Sequence, residues 1–169
     1  MSPEDYEKLI IKVPDFPKPG VIFKDISPLL KEKFPELIED MGSVIDWTNV
    51  DLVLGIESRG FILGAALAIK HNKGFLPIRK KGKLPPPVMS MDYDLEYGSD
   101  TLEMAINDER TNVVIIDDVI ATGGTLRAAI ELCRKNNFNI ISVGALINLK
   151  FLNDLDKDDV QINSVLNYD

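Results

Sequence analysis

Two residue types that often carry structure or chemistry are nearly absent from this sequence. Its 169 residues include one cysteine and one histidine. Cys133 therefore has no partner for an internal disulfide. It falls on the apolar stripe of a predicted helix, where a thiol packs like a small apolar side chain. The lone His71 lies at the end of another predicted helix, and we assign it no chemistry.

Long apolar runs and an excess of positive charge are also absent. No stretch approaches the ~20 apolar residues of a membrane-spanning helix. The first residues, MSPEDYEKLI, lack the basic and apolar regions of a signal peptide. The net charge of −8 argues against a protein that binds nucleic acid through bulk electrostatics. We therefore expect a cytoplasmic protein that binds neither membranes nor nucleic acid.

Two common phosphate-binding motifs are missing as well. The chain contains no G-x-x-x-x-G-K-S/T, which excludes an NTPase loop of that type. It also contains no G-x-G-x-x-G, which excludes the common dinucleotide fingerprint. Any phosphate site must therefore be built from a different arrangement.

Such an arrangement is present in residues 113–125, VVIIDDVIATGGT. The apolar run 113–116 is typical of a strand buried on both faces in a parallel sheet. A turn of small residues follows before a helical pattern, and backbone N–H groups at a helix start suit a phosphate. Asp117 and Asp118 cannot serve the phosphate, because like charges repel, but they can accept hydrogen bonds from hydroxyl groups. The segment predicts a site for a ribose 5-phosphate.

Positive charge is concentrated in one window of this acidic chain. No acidic residue lies between Glu57 and Asp92. The cations in that window are Arg59, Lys70, Lys73, Arg79, Lys80, Lys81 and Lys83. We interpret Lys70 and Lys73 as solvated surface residues and the cluster 79–83 as ligands for a small polyanion. Arg59, in a tight turn before a helix, either grips the same anion or pairs with Glu57.

Strand and helix patterns alternate along the chain. They predict helices at about 2–12, 35–47, 61–71 and 124–136, and strands at 21–23, 51–55, 75–79, 113–117, 139–147 and 160–166. Residues 80–98 and 101–106 are predicted to form an antiparallel hairpin. This order favours a single α/β domain, residues 1–169, with a doubly wound, mainly parallel sheet flanked by helices. Ligands of such folds bind at the carboxyl ends of the strands, where the three loops 57–60, 80–83 and 119–125 would meet.

Two candidate site residues have an ordinary alternative. Phe23, in a loop bent by proline and glycine, either stacks on a flat ring or packs in the core. Glu96 is either a solvated surface carboxylate or part of a lid that closes over the site. The residues alone leave both questions open.

Five segments, taken in order, resemble adenine phosphoribosyltransferases. They are FPKPGVIFKDISPLL, GIESRGF, PIRKKGKLP, YDLEYGSDTLEM and VVIIDDVIATGGT. The last resembles the phosphoribosyl pyrophosphate motif of type I phosphoribosyltransferases, and the first, third and fourth point to the adenine branch. The segments extend over roughly residues 13–135, and the C-terminal strand is also similar.

The resemblance implies a fold, a reaction and partners. The fold is the type I phosphoribosyltransferase fold, with a small hood at about 1–34 and an antiparallel hairpin lid at about 80–106. The reaction joins adenine to phosphoribosyl pyrophosphate and gives AMP and pyrophosphate, as in purine salvage. Mg²⁺ would be bound mainly through the substrate pyrophosphate, with no metal site of the protein itself. A homodimer is the expected assembly.

The resemblance also implies roles for individual residues. Phosphoribosyl pyrophosphate would be bound by Arg59, Arg79, Lys83, Asp117, Asp118, Ala121, Thr122, Gly123, Gly124 and Thr125. Adenine would stack on Phe23 and be read by the backbone of Ile22 and Lys24. The catalytic residues would be Arg59, Asp117, Asp118 and Glu96, with Glu96 handling the purine proton and Tyr97 beside it on the lid. The chain departs from the usual pattern at Lys24, where arginine is common, and at Pro86-Pro87.

Two other functions remain compatible with the sequence. The enzyme could use another purine base on the same fold. Alternatively, the protein could sense phosphoribosyl pyrophosphate without catalysis and regulate through nucleic acid. The acidic balance of the chain argues against the regulator.

Overall fold

The computed structural model of the chain describes residues 1–95, 98–155 and 159–169. Its strands are β1 (Ile11–Pro14), β2 (Ile22–Asp25), β3 (Leu52–Ile56), β4 (Gly74–Lys80), β5 (Val88–Leu95), β6 (Gly98–Ala105), β7 (Thr111–Ile120), β8 (Phe138–Leu149) and β9 (Ile162–Tyr168). Its helices are α1 (Pro3–Leu9), α2 (Ser27–Glu32), α3 (Phe34–Ser43), α4 (Arg59–Lys70) and α5 (Gly124–Lys135), and a 3₁₀ turn spans Lys150–Leu152.

Seven of these strands form one sheet in the order β5-β6-β4-β3-β7-β8-β9. The five strands from β4 to β9 in that order are parallel, while β6 runs antiparallel to both β4 and β5. The predicted mainly parallel sheet with an attached antiparallel hairpin is therefore confirmed. β1 and β2 form a separate antiparallel pair.

The sheet is covered on both faces, and β7 shows how its sequence serves both. Successive side chains of a strand point to opposite faces. Val114 and Ile116 belong to a core built with α1 to α4, whereas Val113 and Ile115 belong to a second core built with α5. All four are fully buried, which explains why the run contains no polar residue.

The first predicted helix is too long, because the chain turns into a strand after Leu9. Ser2 caps α1 in a reciprocal capping box with Asp5, as its sequence predicts. Ile10 is already extended, and Lys12 lies in β1 opposite Lys24 of β2. The pairing of β1 with the next strand, β2, overrides the local helical pattern.

Two further boundaries differ from the prediction. The sequence pattern missed α2, which has Pro28 in its first turn, the one place where a helix tolerates proline. The helix predicted to reach Trp47 ends at Ser43, and the Trp47 indole donates to the carbonyl of Gly42 at 2.9 Å. In the described part of the chain, no helix combines the length and apolar character needed to cross a membrane.

Candidate active site

The acidic pair, Asp117 and Asp118, lies in the last part of β7, not beyond its end. The strand continues to Ile120 because Val119 and Ile120 still pair with β8. Asp118 is 5% exposed, while Asp117 is partly accessible and accepts a hydrogen bond from the Asp118 N–H at 2.9 Å. The predicted strand 113–117 was therefore too short at its carboxyl end.

Arg59 connects the acidic pair to the predicted base-binding segment. Its Nε lies 2.7 Å from Oδ2 of Asp118, and its Nη1 donates to the carbonyl of Lys24 at 2.7 Å. The guanidinium carbon lies 4.5 Å from the centroid of the Phe23 ring. One side chain thus joins two segments that are about 95 residues apart in sequence.

Close backbone packing puts Arg59 in this position. Arg59 begins α4, directly after a turn with a cis peptide bond between Glu57 and Ser58. A Cβ on Gly60 would stand 2.7 Å from the carbonyl oxygen of Ile116, so only glycine allows the helix start to approach β7 this closely. The approach brings the Arg59 side chain within reach of Asp118.

The surroundings raise the pKa of both carboxyl groups. For Asp118 the main cause is burial, which the nearby Arg59 cation opposes. For Asp117 the causes are desolvation and the neighbouring Asp118 carboxylate. Two acidic groups whose negative charge is costly in this fold suit a site that places positive charge beside them.

We expect Asp117→Asn to make the fold more stable at neutral and alkaline pH. A carboxyl whose pKa is raised by folding binds protons more tightly in the folded state, so it destabilises the fold as pH rises above its unfolded pKa. Asparagine removes this cost and retains the oxygen that accepts the Asp118 N–H. Urea unfolding should show a gain on the order of 1 kcal/mol at pH 8, which shrinks towards pH 4.5. A gain independent of pH, or a loss at pH 8, would contradict the assignment.

The turn after β7 leads directly into the first turn of a helix. Ala121, Thr122 and Gly123 form the turn, and α5 begins at Gly124. Gly123 has a φ of +86°, a conformation that side chains rarely adopt. Gly123, the residue before α5, has no side chain that could accept a hydrogen bond from the first backbone N–H groups of the helix. Backbone N–H groups at a helix start and the positive end of the helix dipole suit an anion, and the phosphate site that the sequence predicts in this turn stays a prediction.

The cluster 79–83 is more engaged with acidic partners than its sequence suggests. Arg79 Nε lies 3.2 Å from Oε2 of Glu57, which also accepts from the backbone of Lys80 at 2.9 Å. Arg79 Nη1 donates to the carbonyl of Lys83 at 3.2 Å. Glu57 thus pairs with Arg79, not with Arg59 as one interpretation of the turn had it. Arg79 shapes the loop that carries the exposed Lys83.

On the base side, Phe23 belongs to neither hydrophobic core. Its ring is half-buried and meets the ring of Phe16 edge-on, with centroids 5.2 Å apart. The interpretation of Phe23 as a core residue is therefore wrong. The side chain of neighbouring Ile22 is 59% exposed.

Lys24 faces away from Phe23, as successive residues of a strand do. Its Nζ lies 4.4 Å from the centroid of the Tyr168 ring, and Tyr168 in turn hydrogen-bonds Glu7. Sequence reasoning missed Tyr168, because no local pattern links the last strand to residue 24.

Not every predicted site residue is described by the structure. Glu96 and Tyr97 lie outside the described residues. Within residues 1–95, 98–155 and 159–169, no three histidine, cysteine, aspartate or glutamate side chains are grouped to hold a metal ion. The carboxylate oxygens of Asp117 and Asp118 remain suitable contacts for a cation that arrives with a ligand.

Comparison with known proteins points in one direction. The phosphoribosyl transferase domain family matches residues 25–163. An adenine phosphoribosyltransferase of Bdellovibrio bacteriovorus is 52% identical over 166 residues, which cover 97% of this chain and 99% of that protein.

Solved structures agree. Adenine phosphoribosyltransferase from Thermoanaerobacter pseudethanolicus superposes with a TM-score of 0.92 at 40% identity, covering 98% and 99% of the two chains. The enzyme from Saccharomyces cerevisiae, complexed with an imino-altritol bisphosphate and adenine, gives 0.86 at 33% identity, covering 96% and 97%.

Proposed function

The chain belongs to the phosphoribosyltransferase family, in its adenine branch, and we propose that it transfers the 5-phosphoribosyl group from phosphoribosyl pyrophosphate to adenine. The products are AMP and pyrophosphate. One observation carries the proposal beyond the family. Arg59 bridges the acidic pair of β7 and the aromatic segment on β2, so the ribose and base halves of a site meet at one side chain.

The chemistry requires groups of opposite charge in neighbouring places. Breaking the bond at the anomeric carbon builds positive charge on the ribose ring, as in glycoside cleavage. Asp117 and Asp118 fix the ribose hydroxyls and offset that charge, while the turn 121–125 holds the 5-phosphate. Arg59, with Arg79 and Lys83, balances the negative charge that develops on the leaving pyrophosphate.

Mg²⁺ and Glu96 complete the proposal. Mg²⁺ would arrive mainly with the substrate pyrophosphate, and when bound it would neutralise charge on the leaving group. The oxygen-only donors Asp117 and Asp118 suit such a hard cation. The role of Glu96 in moving the purine proton, with Tyr97 beside it, rests on the family resemblance.

Adenine is held by stacking and by the backbone of β2. The Phe23 ring supplies an aromatic surface, and the backbone groups of Ile22 and Lys24 read the edge of the base. The homodimer and the cytoplasmic location also rest on family resemblance. Sedimentation velocity at several concentrations tests the dimer, and a mass of one chain at every concentration would contradict it.

The test is pyrophosphate release with phosphoribosyl pyrophosphate and Mg²⁺ and one base at a time: adenine, hypoxanthine, guanine or xanthine. We expect turnover with adenine and a kcat/KM at least about 10²-fold lower with the others, because a site built to hydrogen-bond one edge rejects bases that lack it. Reactions without any base give the background of hydrolysis.

Other outcomes separate the alternatives. Preferred turnover of another base would retain the phosphate site and overturn the assignment of residues 22–24. Tight binding of phosphoribosyl pyrophosphate without turnover of any base would favour the sensing regulator.

A further inference from the structure

The turn 121–123, the proposed phosphate site, is contacted by a short segment after β8, residues 153–155. No sequence motif marks this segment. Asn153 donates from Nδ2 to the carbonyl of Ala121 at 2.9 Å. The same Nδ2 lies 2.9 Å from the carbonyl of Leu149 and 3.1 Å from Oδ1 of Asn148. Asn148 is itself buried, so the amide of Asn153 is held between a fixed strand end and the turn.

The other end of the turn, at Gly123, is held in place by side-chain packing. Leu155 is 1% exposed and lies directly against Gly123, where a Cβ would come within 3.0 Å of its Cδ1. The Leu155 N–H is 3.4 Å from Oδ1 of Asn153. One segment thus contacts both Ala121 and Gly123.

The contact with Ala121 has a direct geometric consequence. The carbonyl of Ala121 and the N–H of Thr122 belong to one planar trans peptide unit and point in opposite directions. When Asn153 holds that carbonyl, it also directs the Thr122 N–H away from the protein interior. An N–H in a fixed direction recognises an anion at lower entropic cost than one that must be ordered on binding.

We propose that Asn153 is a positioning residue for the 5-phosphate: it orients the turn 121–123 without touching the ligand. This inference rests on the proposed function, since it concerns the phosphate end of the same substrate. It predicts that loss of Asn153 weakens every ligand that carries the 5-phosphate and spares ligands that bind elsewhere in the site.

The experiment compares ligands that occupy different parts of the site. Calorimetric titration of Asn153→Ala uses ribose 5-phosphate, phosphoribosyl pyrophosphate with Mg²⁺, and pyrophosphate with Mg²⁺. We expect affinity for the first two to fall by about fivefold to tenfold, as for loss of one orienting hydrogen bond. Affinity for pyrophosphate, and the KM for adenine at saturating phosphoribosyl pyrophosphate, should stay within about twofold of the unaltered protein.

Two further variants keep the test decisive. Leu152→Ala changes an exposed neighbour in the same segment and should alter none of these affinities. Asn153→Asp preserves size but replaces the N–H donors with oxygens that repel the Ala121 carbonyl, so it should weaken ribose 5-phosphate at least as much. It also serves if the alanine variant does not fold.

The outcomes distinguish this inference from the function on which it rests. Equal weakening of ribose 5-phosphate and pyrophosphate, or no weakening of either, would overturn the role of Asn153. Absence of AMP formation by the unaltered protein would overturn the proposed function, while binding of ribose 5-phosphate would still test Asn153.

Discussion

Asp118→Asn is expected to lower kcat by about 10²-fold or more while the protein stays folded. The change removes the negative charge that faces the cationic ribose ring and leaves an amide of the same shape. It also removes the ion pair with Arg59, whose Nε lies 2.7 Å from Oδ2 of Asp118. Burial makes the charged form of Asp118 costly, and the Arg59 side chain is 27% exposed and can be hydrated, so we expect the variant with a neutral amide to stay folded.

Steady-state kinetics and thermal unfolding measured together check this prediction. Asp46→Asn is the matched control, because it makes the same chemical change at an exposed carboxylate that accepts a hydrogen bond from the Thr48 N–H. Its kcat should equal that of the unaltered enzyme. Asp118 would have no part in the reaction if its asparagine variant kept kcat within about threefold of that control.

Of the variants proposed here, Gly60→Ala is expected to lower the stability of the fold most. The new Cβ would lie 2.7 Å from the carbonyl oxygen of Ile116 and 3.4 Å from the Cα of Asp117, and both belong to the backbone of β7. Helix α4 must therefore move away from the strand, at a cost of roughly 2–3 kcal/mol. The same movement separates Arg59 from Asp118, so activity should fall even under conditions where the variant is folded.

Gly64→Ala, one turn further along α4, separates this effect from helix propensity. Its Cβ would meet the edge of the Phe75 ring at 3.0 Å, a side chain that can shift, and alanine favours the helix. Denaturant unfolding of the two variants should give a clearly lower midpoint for Gly60→Ala. Equal midpoints would mean that the contact between α4 and β7 does not limit the position of Arg59.

The fold was predictable where local patterns and burial agree. The apolar run 113–116 has the same character throughout because it serves two cores, and it indicates a parallel strand without further information. The pattern failed at Lys12, where pairing with β2 overrides helical periodicity, and at α2, where Pro28 resembles a loop residue. In both cases the deciding factor is an interaction or a position that a short window of sequence does not contain.

The sequence predicts the local segments of the candidate site but not the hydrogen bonds that join distant segments. The turn 121–125 and the acidic pair are local features, so the chemistry that we propose for them could be predicted from residue type and spacing. Bonds between distant segments, such as Arg59 with Lys24 and Asn153 with Ala121, depend on the folded backbone. One glycine could have indicated such a contact. Gly60, next to Arg59, lies where the start of α4 closely approaches another backbone segment, but the sequence does not show that this segment is β7.

The position of Arg59 also determines what a base gains by binding. On one face of the Phe23 ring lies a flat, delocalised cation that already donates to the Lys24 carbonyl. If adenine stacks on that face, as proposed, it would have to take the place of the Arg59 guanidinium, so Arg59 would compete with the base. The measured affinity for the base would then be the difference between the contacts that the base makes and the contacts that Arg59 gives up. Weak binding of the base alone would be compatible with strong contacts in the complete complex.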